Sequence, residues 1–229
     1  ISRAGFGGIR NEYQWRFAEP EKKKYEFNEH FQQRVELLGE NNLDMLCILA
    51  FSNPLYITDR PYSDVVVPYY DEEVKGYADY AAYMAKSLKG KFNKFEVWNE
   101  YNIQSFNSEN RSPEHYVKML KAVYTAIKKE NPDAQVYAMC SAGADVAFLE
   151  RMLKAGAKGY FDAITIHPYD WGGGFRHENF KKNVEAVHNL MKEYGCDDKP
   201  VIFSEIGWTS GNCSTGVSAK EQAVNLIHM

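Results

Sequence analysis

Two glutamates stand where chemistry is easiest to build. Glu100 follows the apolar run Phe95-Glu96-Val97-Trp98 as the second half of an Asn99-Glu100 pair, and Glu205 follows a second such run, Val201-Ile202-Phe203-Ser204. Carboxyl groups at the tips of two buried strands suit a reaction in which one carboxyl donates a proton while the other, ionised, attacks or activates water. Glycoside hydrolysis makes that demand, with the pair flanking the bond to be broken. Arg10, Asn53, Ser141 and His167 with Tyr169 are placed in the same way at predicted strand ends. All four tryptophans, Trp15, Trp98, Trp171 and Trp208, fall at or just after strand ends. A sugar ring presents a flat C–H face and a rim of hydroxyls. It therefore calls for aromatic platforms together with Asn, His, Arg and carboxylate partners. A phosphate site fits poorly, because no GxGxxG or GxxxxGK[ST] run opens a helix.

The elements that must position these residues alternate. Predicted strands lie at Phe6–Arg10, Leu43–Ala50, Phe95–Trp98, Gln135–Cys140, Ala163–Ile166 and Val201–Ser204. A helical pattern follows each one. Phe31, Val35 and Leu38 share one face, as do Val74, Tyr77, Ala81, Met84 and Leu88, and then Tyr116, Leu120, Val123 and Ile127. Ser112 before Pro113 marks a helix start, and Ser218-Ala219-Lys220-Glu221 reads as a capping box. Strict alternation of short buried strands with helices argues for a parallel sheet covered by helices. The chain reads as a single domain over residues 1–229. A doubly wound open sheet and an incomplete (β/α)8 barrel both satisfy the pattern. Three strand–helix units separate Glu100 from Glu205. Strands three apart face each other across the mouth of an eight-stranded barrel but lie far apart in an open sheet, so a paired role for the two glutamates favours the barrel.

Composition narrows the partners. The chain has 229 residues, 45% hydrophobic and 25% charged, with a net charge of -4 and no basic block, which leaves no footprint for nucleic acid. No apolar run approaches the roughly 18 residues of a membrane span. The four cysteines lack zinc spacing. Cys47 and Cys140 read as small buried hydrophobes inside strands, and Cys196 and Cys213, at opposite ends of the last strand, as free thiols. No metal or organic cofactor is expected.

Trp98-Asn99-Glu100, His167-Pro168-Tyr169 and Ser204-Glu205-Ile206-Gly207-Trp208, in that order, resemble the clan A retaining glycoside hydrolases, most closely glycoside hydrolase family 39, with family 5 next. The resemblance runs from about Ile9 to Trp208. Family 5 commonly places a histidine after the third barrel strand, and Phe51-Ser52-Asn53-Pro54 has none. The resemblance implies a TIM barrel in which Glu100 is the acid/base and Glu205 the nucleophile. It implies that Asn99 binds the hydroxyl beside the attacked carbon, that Tyr169 hydrogen-bonds Glu205, and that His167 lines the same subsite. It also makes Arg10 the residue that keeps the nucleophile ionised, and Trp208 a sugar platform. Trp171 and Trp15 are further platform candidates, and Glu12, Asn53 and Tyr56 are candidate subsite residues. Trp98 points away from Asn99 along its strand and is expected in the core.

Numbered by the clan's barrel, the chain holds strands two to seven and lacks the first and the eighth. Two neighbouring missing strands would leave open sheet edges, so a fragment of a longer protein, or a sequence trimmed at both ends, is expected. The expected activity is cleavage of a β-linked glycoside in an oligo- or polysaccharide, in an extracellular or periplasmic setting if a polysaccharide is the substrate. Two rivals stay open: a barrel that binds carbohydrate without turnover, and a doubly wound protein using one carboxylate for other chemistry. Sugar identity, endo or exo action and oligomeric state are not encoded in these motifs.

Overall fold

The computed structural model describes residues 2–169 and 177–228. Six strands, β1 (Gly8–Glu12), β2 (Asp44–Leu49), β3 (Lys94–Val97), β4 (Gln135–Ala142), β5 (Ala163–His167) and β6 (Val201–Phe203), form one sheet in the order of the sequence, and every pair is parallel. Around it lie α1 (Trp15–Ala18), α2 (Glu29–Glu40), α3 (Asp71–Ser87), α4 (Pro113–Glu130), α5 (Val146–Lys154), α6 (His177–Glu193) and α7 (Ala219–His228).

The strand order decides the architecture. A doubly wound sheet reverses direction at a switch point, whereas this one never does. Right-handed crossovers that always step the same way put every helix on one face, and the bare face must curl inward. The end strands prove the curl. Flat strands five spacings of about 4.8 Å apart would lie roughly 24 Å from each other. Yet Arg10 on β1 reaches Glu205, just past β6, at 2.5 Å. The fold is a partial (β/α)8 barrel of six βα units.

Alternate strand residues pack outward under the helices. Met45, Cys47 and Leu49 on β2, Phe95 and Val97 on β3, Val136 and Ala138 on β4, and Ile164 and Ile166 on β5 are all fully buried in one apolar cluster. Tyr77 and Met84 from α3, Tyr116, Leu120 and Val123 from α4, and Leu149 and Met152 from α5 complete it. Helix ends follow local chemistry. Asn28 caps α2 by accepting from the Phe31 N–H, Ser112 caps α4 with Pro113 at its first position, and Asp145 caps α5. The Ser218 hydroxyl and the Glu221 carboxylate exchange backbone hydrogen bonds at the start of α7.

Two strand bounds differ from the sequence reading, and one further segment is helical. The first strand is Gly8–Glu12 and not Phe6–Arg10, because Phe6 is solvent-exposed and pairing with β2 begins at Gly8. Arg10 therefore sits mid-strand. The segment around Trp15 is a short helix, held by the Trp15 N–H bonding to the Ala50 carbonyl. The fourth strand runs on to Ala142 through a bulge between Met139 and Ser141.

That bulge is stitched by Tyr116. Its buried hydroxyl donates to the Val97 carbonyl and accepts from the Met139 N–H, both at 3.0 Å. Tyr116→Phe would strand both buried backbone groups and is expected to cost about 1–3 kcal/mol. Urea unfolding checks it: the midpoint should fall with the slope unchanged, and an unmoved midpoint would mean the hydroxyl carries no stability.

Candidate active site

The site is the mouth of the curled sheet, at the carboxyl ends of the strands. β3 stops at Val97, and the chain turns through two left-handed non-glycine residues, Trp98 (φ 68°) and Glu100 (φ 43°). Such conformations cost about 1–3 kcal/mol each and persist only where surrounding bonds enforce them. Here the Trp98 N–H donates to the Leu49 carbonyl and the Glu100 N–H to the Cys140 carbonyl, pinning the turn between the tips of β2 and β4. Trp98 is buried against Phe51 and Tyr77, so it belongs to the core.

Arg10 organises the floor. Its Nε donates to Glu96 Oε2 at 2.6 Å, its Nη1 to Glu205 Oε1 at 2.5 Å, and its Nη2 to Asn99 Oδ1 at 2.9 Å. Burial works against the guanidinium charge, but the Glu96 and Glu205 carboxylates outweigh it and hold the arginine's pKa above its ordinary value. Arg10 is thus a fixed cation.

His167 joins the two sides. It is wholly buried, and its Nδ1 lies 2.8 Å from Glu100 Oε1 and 3.7 Å from Glu205 Oε2. Its Nε2 faces Arg10 Nη2 at 3.5 Å, the Cys140 thiol at 3.4 Å and the Ser204 hydroxyl at 3.1 Å. Arginine can only donate, and burial pushes the Cys140 thiol well up, keeping its proton. A nitrogen ringed by donors is an acceptor. This assigns the proton to Nδ1, which donates to Glu100.

One carboxylate oxygen of Glu100, one of Glu205 and a ring nitrogen of His167 all lie within 4.8 Å of one another. The Glu100 side chain is 13% exposed and that of Glu205 31%, so both open towards the mouth. This triad, and the buried set Glu96, Cys140 and His167, could each offer three ligands to a metal ion. Arg10 bonds a carboxylate in each set, and that cation opposes a second one.

Tyr169 donates to Glu205 Oε2 at 3.0 Å. Burial, then the Glu205 charge, pushes its pKa up to about 12. The raised value favours the neutral phenol, so the O–H donor persists as pH rises until pH nears that value. Tyr169→Phe is expected to lower kcat/KM about tenfold or more, the worth of a hydrogen bond to a charged group. The alkaline limb of the pH–rate profile below pH about 10 should stay in place. A limb that moved with the substitution would mean that Tyr169 titrates during turnover.

The structure thus gathers Arg10, Asn99, Glu100, His167, Tyr169 and Glu205. Trp208 is only 5% exposed and offers little open ring. Trp15 is fully buried, packs on Tyr56 and Tyr80, and donates its indole N–H to Glu19, which rules it out as a platform. Asn53 and Tyr56 are buried too: the Asn53 amide bonds the Glu19 carbonyl and the Tyr56 hydroxyl the Glu19 carboxylate, so both brace the loop. Glu12 accepts from the Gln14 side chain. Trp171 and the glycines after it lie outside the described residues.

Three residues join the site without having been singled out: Glu96, Cys140 and Ser204. Glu96 carried a signal, a charge flanked by Phe95 and Val97 on a strand of four residues. Cys140 carried none, because it faces inward only after the bulge shifts the alternation of β4.

No protein-family model matches the chain, and no curated protein does. Solved structures do. A family 39 glycoside hydrolase from Bacteroides cellulosilyticus is 29% identical, with a TM-score of 0.79, over 100% of this chain and 48% of its own. A family 39 β-xylosidase from Caulobacter crescentus is 19% identical, with a TM-score of 0.64, over 86% of this chain and 46% of its own. An exo-β-1,4-mannosidase from an Opitutaceae bacterium is 18% identical, with a TM-score of 0.60, over 90% of this chain and 40% of its own. The chain spans less than half the length of each. The last two likenesses speak for the fold. The first makes this chain similar to a family 39 glycoside hydrolase.

Proposed function

We propose that this chain carries the catalytic apparatus of a retaining glycoside hydrolase that cleaves a β-linked bond in an oligo- or polysaccharide. The observation that carries the reading is the Glu100–Glu205 pair, with carboxylate oxygens within 4.8 Å across the mouth. Double displacement needs carboxyl groups about 5–5.5 Å apart, whereas inversion needs about 6.5–9.5 Å to seat a water.

Glu205, held as an anion by Arg10 and oriented by Tyr169, attacks the anomeric carbon while Glu100 gives its proton to the leaving oxygen. The glycosyl–Glu205 ester forms as the glycosidic C–O bond breaks. Water then attacks the same carbon, Glu100 takes its proton, and Glu205 leaves as carboxylate. The Asn99 carbonyl is occupied by Arg10, so its amide N–H groups are left for the sugar hydroxyl beside the reacting carbon. His167 holds Glu100 at the correct height through its Nδ1. No step calls for a metal or organic cofactor.

Hydrolysis of a panel of aryl β-xylosides, glucosides, mannosides and galactosides tests the proposal. Turnover of at least one that is abolished in Glu205→Ala supports it. Sugar binding without turnover of any substrate would leave a carbohydrate-binding barrel in its place.

A further inference from the structure

We propose that Glu96 is a positioning residue for this reaction, aiming the Arg10 fork and sharing its charge so that Glu205 stays nucleophilic. The inference rests on the retaining mechanism above.

Glu96 sits on β3 inside the barrel, wholly buried. Its Oε2 accepts from Arg10 Nε at 2.6 Å. Its Oε1 is buried, with the neutral Cys140 thiol facing the carboxylate as its one other polar neighbour among the described residues. A buried ion pair braced otherwise only by a weak thiol donor is a poor stabilising device, because an apolar side chain of similar size would serve packing as well or better. Glu96 is better explained by what it does to Arg10.

The guanidinium is planar and rigid, so one anchored nitrogen sets the other two. With Nε tied to Glu96, Nη1 meets Glu205 and Nη2 meets Asn99. One carboxylate thus aligns both the attacking group and the proposed hydroxyl-binding amide. It also divides the cation. Among the described residues, Arg10 faces two carboxylates, Glu96 and Glu205, and otherwise only the Asn99 amide, the neutral Cys140 thiol and His167 Nε2. Glu100, also facing His167, Tyr169, on Glu205, and the buried phenols of Tyr116 and Tyr137, which feel the Glu96 charge, are the further titratable groups around the pair among the described residues. Without Glu96 the whole cation would bear on Glu205, stabilising its anion more than the transition state, in which that charge is being lost to the new bond.

A double-mutant cycle tests this. Glu96→Gln keeps an acceptor for Nε but removes the charge. With a dinitrophenyl β-glycoside it is expected to lower kcat about 10- to 100-fold while KM changes less than about threefold. Placed in an Arg10→Ala background, it should cost no further activity, since it acts through Arg10. Losses that multiply, or no loss from Glu96→Gln alone, would overturn the proposal. A second readout is independent of turnover. In ¹⁵N-arginine spectra the Arg10 Nε–H should exchange slowly with solvent in the wild type and in Glu205→Ala. Fast exchange in the wild type overturns the proposal even if Glu96→Gln fails to fold. A wild type inert towards every glycoside yet showing the slow Nε–H would sink the hydrolase reading and leave the Glu96–Arg10 anchor standing.

Discussion

Glu205→Ala is expected to lower kcat on aryl β-glycosides by about 10⁴-fold or more, because it removes the atom that forms the new bond. Folding should survive, since the side chain is 31% exposed at the mouth. The loss carries a chemical signature. Azide is small enough to occupy the space vacated by the carboxylate and attack the anomeric carbon from that side. Glu100 still protonates the leaving oxygen, so the product is the α-glycosyl azide from a β-glycoside. If Glu205 only bound substrate, KM would rise with kcat largely kept, and no azide adduct would form.

Glu100→Ala should behave differently, because a proton donor matters in proportion to how badly the leaving group needs it. A poor leaving group such as a second sugar should lose about 10²–10⁴-fold, the usual range for general acid catalysis. A dinitrophenolate should lose little in the first step, and the glycosyl–enzyme should then accumulate, since the base for water is gone. Azide needs no base and should release the β-glycosyl azide. The opposite configurations of the two azide products distinguish the two carboxylates, which their positions alone do not. Equal losses on good and poor leaving groups would remove Glu100 from the donor role.

Much of this arrangement is legible in the sequence alone. The helices at 29–40 and 113–130 could be drawn because Ser112-Pro113 and the spacing of Phe31, Val35 and Leu38 are local signals. Glu100 and Glu205 stood out because each interrupts an apolar run at its end. The barrel could not be separated from an open sheet by periodicity. That choice depends on strand order and on the long-range contact between Arg10 and Glu205. The aromatic platforms were the weakest reading. Trp15 and Trp208 fall at strand ends as a sugar site would want, yet both are buried, whereas Trp98 is buried as its alternation with Asn99 predicts. Indole burial is the more common outcome of placing a tryptophan near a barrel rim, and sequence position does not reveal which way a ring turns. The floor of the site was hidden for another reason. Cys140 faces inward only because a bulge lets Met139 and Cys140, both at positive φ, reset the strand's alternation.

The most direct measurement follows the configuration of the first sugar released. Proton NMR of an aryl β-glycoside digest, recorded before mutarotation, resolves the two anomers. Double displacement through Glu205 gives the β-anomer first, with the α-anomer growing in later by mutarotation. The α-anomer appearing first would mean a single displacement by water. It would contradict a nucleophilic Glu205 whatever its distance from Glu100.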